Sequence, residues 1–158
     1  MKIAIVHEWF DNYAGSERVV ESFTNIWPDA DVFTHVDILT GFKDNPLDYI
    51  AACDLYLSTS RWEGLPYSFI ESTMFGLPAV VTNVTGNNEV MINNYNGILF
   101  NLDDLKSPEN HIKEICNNPE LHKRFSDNSK KIFSEKFSIN KMISSINNTY
   151  QKYLTDDQ

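Results

Sequence analysis

Short apolar runs alternate along the chain with stretches whose apolar residues recur every three or four positions, the pattern of repeated parallel β-α units. KIAIV (2–6) reads as a buried strand, and a loop containing Gly15 follows. SERVVESFTNIW (16–27) carries the helical stripe Val19, Val20, Phe23, Ile26 and Trp27, and Pro28 ends it. DVFTHV (31–36) is a second strand, and LDYIAA (47–52) is a short helix leading into a third, DLYLS (54–58). AVVTN (79–83) and GILF (97–100) supply a fourth and fifth, with a short helix near 87–93 between them. From Ser107 onward the periodicity is helical, with breaks near Pro119 and Phe137–Ser138. The predicted fold is α/β, a single domain of about five mostly parallel strands covered by helices.

Composition sets limits on that picture. At 158 residues, with 42% hydrophobic and 13% aromatic content, there is material for one core of ordinary size and hardly for two. A formal charge of −9 excludes a sequence-independent nucleic-acid binder, which needs a basic face to displace counterions. Lys123, Arg124, Lys130, Lys131, Lys136 and Lys141 are concentrated against Asp127 and Glu135 alone, and are expected to form a solvated helical surface. The apolar run after Lys2 ends at His7 and Glu8, too early for a signal-peptide core or a membrane span, so a cytoplasmic protein, at most peripheral to the inner face of a membrane, is expected. Cys53 and Cys116 lack zinc or redox spacing and read as core thiols. His35, His111 and His122 form no metal or triad spacing, and His7, at the end of the first strand, reads as structural. Ala14-Gly15-Ser16 is not GxGxxG, which disfavours a nicotinamide or flavin dehydrogenase; no metal or resident cofactor is expected.

One segment carries chemistry. RWEGLPYSFIESTMFGLPAVV (61–81) contains Gly-Leu-Pro twice, and the copies suit opposite ends of one helix. Pro66 fits the first helical position, where its missing N–H costs nothing. Gly76 fits the left-handed residue after a helix, and Pro78 can open the next strand. Glu63 then lies in the loop above the helix N-terminus, while Glu71 lies about a turn inside and leans back toward it. Free N–H groups and the positive dipole end at such a corner attract phosphate. Two carboxylates beside it cannot hold phosphate themselves but can accept hydrogen bonds from pairs of hydroxyls. A nucleotide-sugar, with phosphates in the middle and diols at both ends, fits; alternatively Glu71 merely complements the dipole and Glu63 is solvated.

The stretch from Gly41-Phe42 to Phe100 resembles the nucleotide-sugar segment of family 4 (group 1) glycosyltransferases, a retaining group of the GT-B fold. The matching elements are Ser60, Glu63-Gly64, Glu71, Gly76-Leu77-Pro78, Gly86 to Glu89, and Asn96-Gly97. The opening, residues 2–34, looks like the first strand, glycine loop and helix of the same family's N-terminal domain. The resemblance implies a shortened, Rossmann-like three-layer domain, a truncated GT-B relative. Residues 1–38 would be a remnant of the N-terminal domain packed into the same sheet, and 39–158 the nucleotide-sugar-binding part with its C-terminal helices. It implies that Glu71 binds the ribose hydroxyls and that Glu63 binds the donor sugar as the catalytic residue. Backbone amides of Gly64, Leu65, Tyr67 and Ser68 would meet the diphosphate, Gly41 and Phe42 would border the base, and Gly15 would let backbone approach a phosphate. Arg61 is a phosphate ligand or a rim charge. Gly86, Glu89 and Asn96 read as turn, cap or surface residues.

By the same resemblance the reaction is hexosyl transfer from a nucleotide-diphosphate sugar to an acceptor such as a growing polysaccharide or lipid-linked glycan. The alternative is a noncatalytic nucleotide-sugar-binding remnant, or a partner subunit of a complete glycosyltransferase. The segment that would carry the family's Arg and Lys for the leaving diphosphate, and most of the acceptor domain, have no counterpart here. Self-association or a glycosyltransferase partner would then complete the cleft. The final helix, with the stripe Ile139, Met142, Ile143 and Ile146, is expected to cross back over the N-terminal piece.

Overall fold

A parallel strand buried on both faces must be apolar at successive positions, and Leu55-Tyr56-Leu57 and Ala79-Val80-Val81 meet that demand. A computed structural model of the protein describes residues 4–10, 25, 31–37, 46–104 and 106–155. Five strands form one sheet: β1 Ala4–Phe10, β2 Asp31–Asp37, β3 Tyr56–Ser58, β4 Ala79–Thr82 and β5 Gly97–Phe100. Their order is β2-β1-β3-β4-β5, and every neighbouring pair is parallel. Ala4 pairs with Asp31 on one side and with Tyr56 on the other, so the opening strands share the sheet of the later ones. The 16–27 helix expected from the sequence lies outside the described residues apart from Asn25, which is helical.

Alternation divides the core into two layers. Leu55, Leu57, Val80 and Phe100 point to one face and pack with Ile112, Ile115 and Phe125 from the helices Ser107–Asn117 and Pro119–Ile132. Tyr56, Ala79 and Val81 point to the other, against Ile50 of the helix Pro46–Ala51 and Phe69 of the helix Tyr67–Phe75. The result is three layers, with Tyr56 and Phe69 stacked at 4.9 Å between ring centroids. Cys53 is buried, whereas Cys116 is only partly so; burial still pushes its thiol up to about 11, which keeps it unreactive at neutral pH.

The bracketed helix ends as its sequence requires. Gly76 has φ +79° and ψ 33°, the N–H of Gly76 donates to Thr73 O, and that of Leu77 donates to Ser72 O at 3.0 Å. This is a Schellman closure. Pro66 stands one position earlier than expected, in the extended cap, where its carbonyl accepts the amides of Phe69 and Ile70. Gly76→Ala is expected to cost about 1–2 kcal/mol in chemical denaturation, since a left-handed alanine is strained. Its methyl also meets the flexible stem of Lys130, which can move.

The last helix, Ile139–Thr155, follows a π-helical turn over Phe133–Phe137. Its stripe does not pack as expected: Ile139, Met142, Ile143 and Ile146 are 45–66% exposed. Extended Ser138 (ψ 147°) interrupts the helical backbone between this turn and the last helix. Ion pairs of Lys123 with Asp127 and of Lys131 with Glu135 lie on exposed surface, in keeping with a solvated basic stretch.

Candidate functional site

Strand order fixes where a ligand fits. The chain runs from β1 outward to β2, then returns to β3 on the opposite side of β1 and continues outward to β4 and β5. In open parallel sheets the crevice lies at such a reversal, beyond the carboxyl ends of the strands. The loop that follows β3 at this point is residues 59–66, which carries Arg61, Glu63, Gly64 and Leu65. It leads directly into the helix Tyr67–Phe75.

Within this loop the side chains separate by polarity in an unexpected sense. Trp62 is 79% exposed, and Arg61, Gly64 and Leu65 are exposed too, yet the carboxylate-bearing Glu63 is only 8% exposed. A glutamate surrounded in sequence by exposed residues is buried only when the loop turns it inward and gives it company. Neither Glu63 nor Glu71 is without a partner. Glu71 sits on the second turn of the helix, half-buried, one turn after Tyr67. The amides of Tyr67 and Ser68, at the first two helical positions, have no earlier helical carbonyl to bond. The buried Ser68 Oγ is hydrogen-bonded to the Tyr56 hydroxyl at 3.1 Å, which ties the start of the helix to β3.

A polar network ties the loop to the next strand. Thr82 Oγ1, at the end of β4, donates to Ser60 O at 2.6 Å. Asn87 Nδ2 in turn donates to Thr82 O and Oγ1 at 3.0 and 3.2 Å. Sequence reasoning missed Thr82, Asn87 and the exposed Trp62; a Thr ending a strand and an Asn after a Gly give no signal beyond turn chemistry. Asn96 is fully buried and closes a turn, accepting the Ile92 amide at 2.8 Å, in keeping with the turn role expected of it, while Glu89 is exposed. Gly15, Gly41 and Phe42 lie outside the described residues. Among the described residues no cluster of His, Cys, Asp and Glu could hold a metal ion, and no helix is long and apolar enough to cross a membrane.

The parallel α/β sheet, with Glu63 buried in the loop at its switch point, has the fold of GT-B glycosyltransferases. Residues 14–132 match the family described as glycosyl transferases group 1, and the chain belongs to that family. It is 29% identical over 113 residues to the UDP-Gal:alpha-D-GlcNAc-diphosphoundecaprenol alpha-1,3-galactosyltransferase of Escherichia coli, covering 72% of this chain and 29% of that protein. An uncharacterized glycosyltransferase of Methanocaldococcus jannaschii is 31% identical over 121 residues, 75% of this chain and 34% of its own length. The chain thus spans about a third of these relatives. Among solved structures, Anabaena HepE in complex with UDP superposes with a TM-score of 0.73 at 19% identity, covering 95% of this chain and 40% of that one.

Proposed function

We propose that the chain forms the donor-binding part of a retaining hexosyltransferase that uses a nucleotide-diphosphate sugar. The observation that carries this is the buried Glu63 beside the open amides of Tyr67 and Ser68 at the sheet's switch point. Glu71 takes the ribose hydroxyls and Glu63 the sugar. The amides of Gly64, Leu65, Tyr67 and Ser68 take the diphosphate, with Arg61 at the rim and Gly15, Gly41 and Phe42 completing the pocket around phosphate and base. The E. coli relative's name specifies a uridine donor and a lipid-linked acceptor, and HepE was solved with UDP; both support a uridine base and a glycan or lipid-linked acceptor here. In this reading residues 1–38 descend from an N-terminal GT-B domain, residues 39–158 from the donor domain, and the protein works in the cytoplasm, on or near the inner membrane face.

The second reading is a noncatalytic nucleotide-sugar binder or partner subunit, favoured by Arg61 being the only Lys or Arg across residues 46–104, which leaves the corner few cations for a departing diphosphate. Calorimetry with uridine, guanosine and adenosine diphosphates and their hexose conjugates tests what both readings share. A uridine diphosphate sugar is expected to bind more tightly than free uridine diphosphate, and both more tightly than the other bases. Absence of binding by all of them would overturn both readings.

A further inference from the structure

We infer that Gly86 is a positioning residue for Glu63: the missing side chain at 86, with the hydrogen bonds of Thr82, seats the Glu63–Gly64 loop so that the carboxylate is held inward. The inference rests on the proposal that Glu63 meets the donor sugar.

Gly86 has φ +87° and ψ −56°, a conformation that side-chain-bearing residues rarely adopt. A turn alone would require no more than that. Here a Cβ would also lie 2.6 Å from Gly64 O, 2.7 Å from Glu63 Cβ and 2.8 Å from Glu63 C. All three atoms are backbone or the root of the Glu63 side chain, so no rotamer change relieves the contact. The approach therefore sets the direction in which Glu63 leaves the chain. Gly64, the more conspicuous glycine in the sequence, has nothing within 4 Å of the place a methyl would occupy. The steric constraint on the loop comes from Gly86, twenty-odd residues later in the chain.

A second contact comes from the same segment. Thr82 Oγ1 holds Ser60 O at 2.6 Å, and Asn87, fully buried, holds Thr82 through Nδ2. Asn87 Oδ1 is buried without a hydrogen-bond partner, so among the described residues the amide is fixed by its donor side alone. Residues 82–87 thus grip the loop before Glu63 by a hydrogen bond and at Glu63 by close packing. A carboxylate held at two points loses little freedom when a sugar arrives, and a displacement of about 1 Å in such a group can cost ~10²-fold in rate.

The test compares the wild type with Gly86→Ala and Thr82→Val by amide hydrogen exchange without ligand and by calorimetry with uridine diphosphate and uridine diphosphate glucose. In both variants exchange over residues 60–66 should rise by about tenfold or more. Affinity for the free diphosphate should fall by only a few-fold, because the helix amides of Tyr67 and Ser68 stay in place when the loop amides of Gly64 and Leu65 shift, while the extra affinity given by the sugar falls by about tenfold in Gly86→Ala and less in Thr82→Val. If Gly86→Ala does not fold, Thr82→Val decides. Unchanged loop exchange, or equal loss for diphosphate and diphosphate sugar, would overturn the inference. Failure of the underlying functional reading shows separately, as no sugar-dependent affinity in the wild type, and the exchange data then decide the positioning alone.

Discussion

Glu71→Ala is expected to weaken the binding of uridine diphosphate and its sugar conjugate alike, by about 1.5–3 kcal/mol, the range for a hydrogen bond to a charged acceptor. The sign of this effect separates two roles for the residue. If Glu71 only complements the helix dipole, its removal takes a negative charge away from a diphosphate site, and binding should tighten. If it accepts the ribose hydroxyls, that electrostatic relief is outweighed and binding weakens. The helix itself should survive, because alanine is the best helix former and Glu71 is half-buried at a position where no core side chain is lost. Glu63→Gln should leave the free diphosphate unaffected and remove affinity only when the sugar is attached. Calorimetric titration of both variants with both ligands reads the pattern, and equal losses for the free diphosphate in the two variants would contradict the assignment.

How much of the fold and site is legible in the sequence depends on whether the signal is local. The strands at GILF and AVVT, the short helix after Gly86 and the breaks near Pro119 and Ser138 all fall within a residue or a few of where periodicity and Gly or Pro punctuation place them. Gly76 is left-handed as a Gly before Leu-Pro suggests. The helix-bracketing role of the repeated tripeptide is equally readable, since caps are decided within one turn. What escapes is contact between distant segments. The sequence shows Gly86 as a turn glycine, and nothing nearby tells that its open side faces Glu63. Nor does the sequence tell that the Ser68 hydroxyl meets that of Tyr56, on a neighbouring strand. The amphipathic stripe of the last helix is legible as a stripe but not as an exposed one, because periodicity reports that a face is apolar and not what covers it.

Assayed alone, the 158-residue chain is expected to bind donor yet transfer sugar negligibly. Breaking the bond between sugar and diphosphate leaves negative charge on the departing oxygens, and aimed cationic or N–H donors are the main means of stabilising it; losing one typically costs about 10²–10³ in rate. The corner keeps its helix amides. Across residues 46–104, however, Arg61 is the only Lys or Arg, and it is exposed, where solvent screens its charge. The proposed site holds the donor alone, and the relatives it matches are about three times as long. Slow hydrolysis of the donor, without transfer, is the expected residual activity. If a second copy or a partner supplies the missing cations and acceptor surface, turnover per chain should rise with protein concentration or on adding that partner, whereas a self-sufficient enzyme gives a constant value. Labelled donor, candidate lipid-linked and glycan acceptors, and a concentration series separate the cases. Robust transfer at constant specific activity in the dilute monomer would show that the stabilising charges lie within this chain after all, and would point to its remaining cations, Lys43 first, as the groups to substitute next.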